Sequence, residues 1–67
     1  MNDIDKLTEQ IARLEHDARM AVGSRERVAL VQPAVSYARL AARLGEDELR
    51  WRALSVAAAC EPLRRVA

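Results

Sequence analysis

Phenylalanine is absent, and Tyr37 and Trp51 are the only aromatic side chains. A core without large rings has to be built from aliphatic residues, and many of the apolar residues here are alanine, each of which removes little area from water. The chain has 67 residues, enough for one small helical domain spanning 1–67. Below about 70–80 residues a single core rarely supplies more than about 3–5 kcal/mol. Chains of this size are usually supplemented by a disulfide, a metal or a partner.

Cysteine is nearly absent too. Cys60 stands alone, so no disulfide can form within the chain. There is one histidine and no clustered ligand spacing, so no metal is expected. No run approaches the roughly 18 apolar residues of a membrane span. Residues 1–7 are acidic and polar and lack the apolar stretch of a secretory signal. Together these features predict a reduced, cytoplasmic protein. The two glycines, Gly23 and Gly45, are isolated, which excludes a glycine-rich phosphate loop. Nothing calls for a cofactor or a small-molecule substrate. The supplement that remains is self-association or a protein partner.

Charge of one sign is also missing. The net charge is +1. Residues 1–17 are net acidic and the remainder is net basic, a mild polarity rather than an acidic tail or a basic arm. It biases the packing of the first helix against the later ones, and salt screens most of that.

What is present is helical periodicity. Ile4, Leu7, Ile11, Leu14, Ala18 and Ala21 alternate steps of three and four, a coiled-coil-like seam on a helix over 3–22. Asn2 or Asp3 can cap it, and Asp3 and Asp5 suit the positive end of its dipole. Glu9–Arg13 and Glu15–Arg19 are i,i+4 pairs in the favoured order. Gly23 is expected to end this helix in the left-handed conformation, with Ser24 capping the next. A link this short folds the two helices into an antiparallel hairpin.

A second helix is predicted over 25–44, and it is apolar on two sides. Val28, Val31, Val35, Ala38 and Ala42 form one stripe; Leu30, Ala34, Tyr37, Ala41 and Leu44 form its neighbour. One stripe suits the first helix and the other a third helix. Pro33 interrupts the segment, because it lacks an N–H and clashes with the carbonyl of Ala29. Either the helix runs through with a kink at Pro33, or it stops near Val31 and restarts with Pro33 in first position.

Gly45 ends the second helix. Glu46, Asp47 and Glu48 open a third, predicted over 46–61, at a dipole end that favours acids. Glu46–Arg50 and Glu48–Arg52 are further i,i+4 pairs. Leu49, Ala53, Val56, Cys60 and Leu63 make a second seam, with Trp51, Leu54 and Ala58 as a stripe beside it. Pro62 is expected to end or bend this helix, leaving 63–67 as a last turn or tail. The fold class is all-α: three short helices in a helical hairpin or small three-helix bundle, with a kink at Pro33.

No residue set points to catalysis, and the chain is read as non-enzymatic. His16 lies off the seam with no nucleophile pointing to it. Cys60 lies on a seam and reads as a small hydrophobe. The run Glu46–Glu48 reads as helix capping. An alternative function is a small helix-turn-helix-like DNA-binding regulator. Ala41, Gly45, Trp51 and Leu54 fall near that motif's spacing, and Arg39, Arg43, Arg50, Arg52, Arg64 and Arg65 could supply a basic surface. The acids at 46–48 would face phosphates and oppose binding. The favoured reading is a protein–protein interaction module that binds a helical partner or itself, through Val28, Val31, Val35, Tyr37, Leu44, Trp51 and Leu54. Trp and Tyr are typical interface anchors.

The opening Met1-Asn2-Asp3-Ile4-Asp5-Lys6-Leu7, and Arg43-Leu44-Gly45-Glu46-Asp47 leading to Trp51, resemble the small cytosolic co-chaperones of type III secretion needle subunits. That resemblance implies a non-catalytic helical hairpin. It would bind a larger helical-repeat chaperone, and the pair would keep the needle subunit from polymerising early. Gly23, Pro33 and Pro62 depart from the family's longer helices.

Overall fold

The computed structural model describes residues 2–61. They form α1 (Asp3–Met20), α2 (Ser24–Ala29), α3 (Val31–Arg43) and α4 (Asp47–Cys60). The fold is a small all-α bundle of three helical segments, the middle one divided into α2 and α3. Pro62 and Leu63, the tail over 63–67, and the basic residues Arg64 and Arg65 lie outside the described residues.

α1 starts as its sequence dictates. Asn2 is the N-cap, and its Oδ1 accepts the Asp5 backbone N–H at 2.8 Å. The helix ends at Met20, two residues earlier than its periodicity predicts. Gly23 corrects another expectation. Its φ of −109° and ψ of 156° are extended, so it is the N-cap of α2 rather than a left-handed terminator. Ser24 is then the first helical residue and makes no cap. No side chain caps α2; Glu26 instead reaches back to the residue before the N-cap, its Oε2 accepting the Val22 N–H at 3.3 Å.

The division of the middle segment falls at Leu30, three residues before Pro33. Leu30 (φ −85°, ψ −13°) turns its N–H to Arg27 O at 3.0 Å, an i−3 bond. The first bond of α3 runs from Ala34 N–H to Leu30 O at 3.1 Å. Pro33 thereby becomes the third residue of α3. The N–H it lacks would have had no partner inside the helix at that position. Breaking early avoids the clash with Ala29 that an unbroken helix would suffer.

Gly45 behaves as predicted. It has φ 72°, the sole positive φ among the described residues. Glu46 N–H bonds Ala41 O at 2.9 Å and Gly45 N–H bonds Ala42 O at 3.2 Å, the paired bonds of a Schellman motif. This turn lays α4 back along α3, and that pair makes the most extensive contact among the described helices. α1 packs against both, so both docks of the middle segment are made within one chain.

The core has two parts. Near the Gly45 turn, Leu7, Ile11, Ala38, Ala41, Leu49 and Ala53 cluster, with Tyr37, Leu44 and Leu54 packed against them. Near the α2 end, Leu14, Ala34, Val56, Ala57 and Cys60 cluster, flanked by Ala18, Leu30, Val31 and Val35. The buried line along α3 is Ala34, Ala38 and Ala41, and it meets Ala53 and Ala57 of α4. Alanine on alanine brings helix axes close and buries modest area. No buried side chain is polar among the described residues.

Two arginines tie the helices together at the rim. Arg52 of α4 forks onto Glu15 of α1, through Nε to Oε2 at 3.2 Å and Nη2 to Oε1. The bond from Arg52 holds the Glu15 carboxyl below its ordinary value, against the opposing effect of partial burial. Sequence spacing pairs Arg52 with Glu48 and Glu15 with Arg19 along their own helices; the structure uses both side chains across helices instead. Arg27 of α2 donates from Nη2 to Ala59 O at 2.8 Å, a carbonyl in the last turn of α4. A cation there also meets the negative end of the helix dipole.

Candidate interaction surface

The seven residues proposed from sequence do not share one face. Tyr37 is half-buried in a groove of about 280 Å³ between α1 and α3, beside Arg13, Asp17, Leu30 and Pro33. Val31 and Val35 are half-buried against the cluster at the α2 end. Leu44 and Leu54 are half-buried against the cluster at the Gly45 turn. Only Val28 and Trp51 are exposed, at 43% and 60%. Five of the seven thus contribute to packing within the chain, and Trp51 is the large side chain of the set left to solvent.

Trp51 lies on the outer side of α4, where the sequence has an unusual property. From Ala53 to Cys60 the helix carries no charged residue. Its inner positions, Ala53, Val56, Ala57 and Cys60, are buried. Its outer positions, Ser55, Ala58 and Ala59, are exposed and equally uncharged. The one polar group among them is turned inward, because Ser55 Oγ donates to Trp51 O at 2.8 Å. The outer face of α4 therefore offers neutral apolar surface along most of its length. A helix that is apolar all round is ordinarily covered all round.

Arg50 frames this face. Its guanidinium lies 5.0 Å from the centre of the Trp51 ring, within cation–π range. Its Nε is also 3.8 Å from Asp47 Oδ1, a loose exposed pair. The stacked cation restricts the indole and leaves much of the ring open.

The partner-binding set drawn from sequence omits Ser55, Ala58 and Arg50, although Ala58 falls on the same stripe as Trp51 and Leu54. A signal for them exists: eight consecutive uncharged residues, Ala53 to Cys60, in a helix whose neighbour α1 carries charge on every outward turn. Met20 and Val22, exposed at 65% and 91%, are likewise absent from the sequence-derived set, and they sit at the connection between α1 and α2.

The remaining side chains with chemical potential are accounted for by their surroundings. His16 is exposed. Cys60 is buried among Leu14, Ala34, Val56 and Ala57, where it serves as a small apolar side chain. No group of three His, Cys, Asp or Glu residues among those described is placed to hold a metal ion. No described helix is long and apolar enough to cross a membrane. Of the arginines available for phosphates, Arg39 and Arg43 are exposed, while Arg50 and Arg52 are engaged within the chain. Asp47 and Glu48 in the first turn of α4 stand in solvent.

Compared with known proteins, the chain matches no family model, no curated protein and no solved structure.

Proposed function

We propose that this chain is a non-enzymatic protein–protein interaction module of the adaptor or co-chaperone type. It works in the reducing cytoplasm and docks a helical partner or a second copy on the outer face of α4. The observation that carries this reading is Trp51, 60% exposed on a helix with no charge from Ala53 to Cys60. Tryptophan is among the residues most enriched as interface anchors, and exposed apolar helix faces are a standard docking element for amphipathic helices. The resemblance to needle-subunit co-chaperones points the same way, toward a helical chaperone as the partner. The placement of Arg50 and Arg52 in contacts within the chain, with acids at the start of α4, gives DNA binding less support.

Native mass measurement on the protein isolated from its own cells tests the proposal. The expected result is a complex heavier than one chain that is lost in the Trp51→Glu variant. A lone chain in both preparations would overturn it.

A further inference from the structure

We infer that the outer face of α4 pairs with the same face of a second copy, antiparallel, about a two-fold axis near Ser55. The inference rests on the interaction-module reading and names the occupant of that surface.

A two-fold contact requires one patch to complement itself. In an antiparallel pair of helices, a residue before the axis meets one equally far beyond it on the partner, on the same flank. The face of α4 satisfies this in shape. Trp51 lies four residues before Ser55, and Ala58 and Ala59 lie three and four after it. The large indole of each copy therefore falls on the small side chains of the other, at both ends of the contact. Ser55, at the centre, is small, and its hydroxyl is already bonded to Trp51 O, so close approach leaves no donor stranded.

The face satisfies it in charge as well. Arg50, Leu54 and Glu61 follow one flank of the helix at steps of four and seven. Arg50 lies five residues before Ser55, and Glu61, the C-cap of α4, lies six after. Antiparallel pairing sets Arg50 of each copy near Glu61 of the other, twice per dimer. A parallel pairing would instead stack Arg50 on Arg50 and Trp51 on Trp51. The sequence between these two charges holds only Arg52, which is committed to Glu15 on the opposite flank.

Area sets the strength. The 14 residues of α4 span about 21 Å at 1.5 Å per residue. One helix face of that length falls in the class of small transient interfaces, below about 1,200 Å² in total. The dimer is accordingly weak, and it forms at high micromolar rather than nanomolar concentration.

Sedimentation equilibrium of the full chain, run from a few micromolar to several hundred micromolar, tests this. The emission of Trp51, the sole tryptophan, is followed over the same range. The expected result is a rise from monomer to dimer mass with a parallel blue shift of the emission. Trp51→Glu should abolish both, and circular dichroism should confirm that the helices remain. Glu61→Arg should weaken dimerisation about tenfold, since it turns two attractive pairs into repulsive ones. Adding Arg50→Glu to it should restore most of the loss, because the charges are then exchanged. Any of three results overturns the inference. The first is monomer mass and constant emission throughout. The second is a dimer unaffected by Trp51→Glu. The third is a charge exchange that restores nothing, which would exclude the antiparallel register. A chain that stays monomeric alone but enters a cellular complex sensitive to Trp51→Glu would overturn the second copy as occupant while leaving the interaction-module reading intact.

Discussion

α1 and α4 are helices of similar length that meet side by side, and they treat water in opposite ways. α1 buries Leu7, Ile11 and Leu14 and exposes Asp5, Lys6, Glu9, Gln10, Arg13 and His16. Its outward side is finished: every turn carries charge, and solvent is an adequate neighbour. α4 buries Leu49, Ala53, Val56, Ala57 and Cys60, then exposes Trp51, Ser55, Ala58 and Ala59. Beyond the acidic first turn of Asp47 and Glu48, its outward side is as free of charge as its inward side. Within the described residues α1 and α3 cover the inner face of α4, and α2 reaches its last turn through the Arg27 bond to Ala59 O, which leaves Trp51, Ser55 and Ala58 in solvent. The contrast separates residues that stabilise this fold from residues that remain available to a partner.

The strongest way to break the contrast is from inside. Ile11 is fully buried, and Ile11→Ala is expected to destabilise the monomer by about 2–5 kcal/mol. In so small a domain that equals most of the available stability. Loss of helical circular dichroism at room temperature checks it.

The turn that aims α4 comes next. Gly45 has φ 72°, and a methyl group added there would meet nothing within 4 Å, so the cost of Gly45→Ala is conformational rather than steric. The expected loss is about 1–2 kcal/mol, read as a lower thermal midpoint with helix content retained.

Glu15→Gln probes the clasp between the two helices. The Glu15 carboxyl is held below its ordinary value of 4.5 by Arg52. A carboxylate with a depressed native value contributes stability above its unfolded-state value and loses it as pH falls through the native one. The wild type should therefore exceed Glu15→Gln at pH 7 by about 0.2–1 kcal/mol, the scale of a solvent-accessible pair. The difference should vanish in acid below the usual carboxylate range. Denaturant titrations at the two pH values check both statements.

The smallest effect on stability sharpens the contrast most. Ala12 of α1 and Ala58 of α4 are both exposed. Ala12→Glu and Ala58→Glu should each change unfolding free energy by no more than about 0.5 kcal/mol. Only Ala58→Glu should suppress association, measured by sedimentation, because only that position lies on an uncharged face.

Much of this is legible in the residues themselves. The seam Leu49–Ala53–Val56–Cys60 is buried throughout. The α1 seam docks over Leu7, Ile11 and Leu14, while Ile4 at one end is 37% exposed because no described helix extends to cover it. The middle segment is harder. Its two apolar stripes read as equivalent and its valines as partner-binding, yet Ala34, Ala38 and Ala41, drawn from both stripes, are the buried line and Val28, Val31 and Val35 lie along the edge. Alanine tolerates core and surface equally, so periodicity alone does not rank two adjacent stripes. Gly23 departs from expectation for a related reason: glycine permits a positive φ without requiring one.

The residues by themselves determined the helices, the Gly45 turn and the seam of α4, because those depend on local geometry and on spacing along one helix. Tertiary structure decided where the Pro33 strain was released, that the buried line of the middle segment would draw Ala38 from one stripe and Ala34 and Ala41 from the other, and that Arg52 would clasp Glu15. It also decided that Trp51 would face outward. Those outcomes depend on how far neighbouring helices extend and on which side they approach, and that geometry exists only once all three segments are packed.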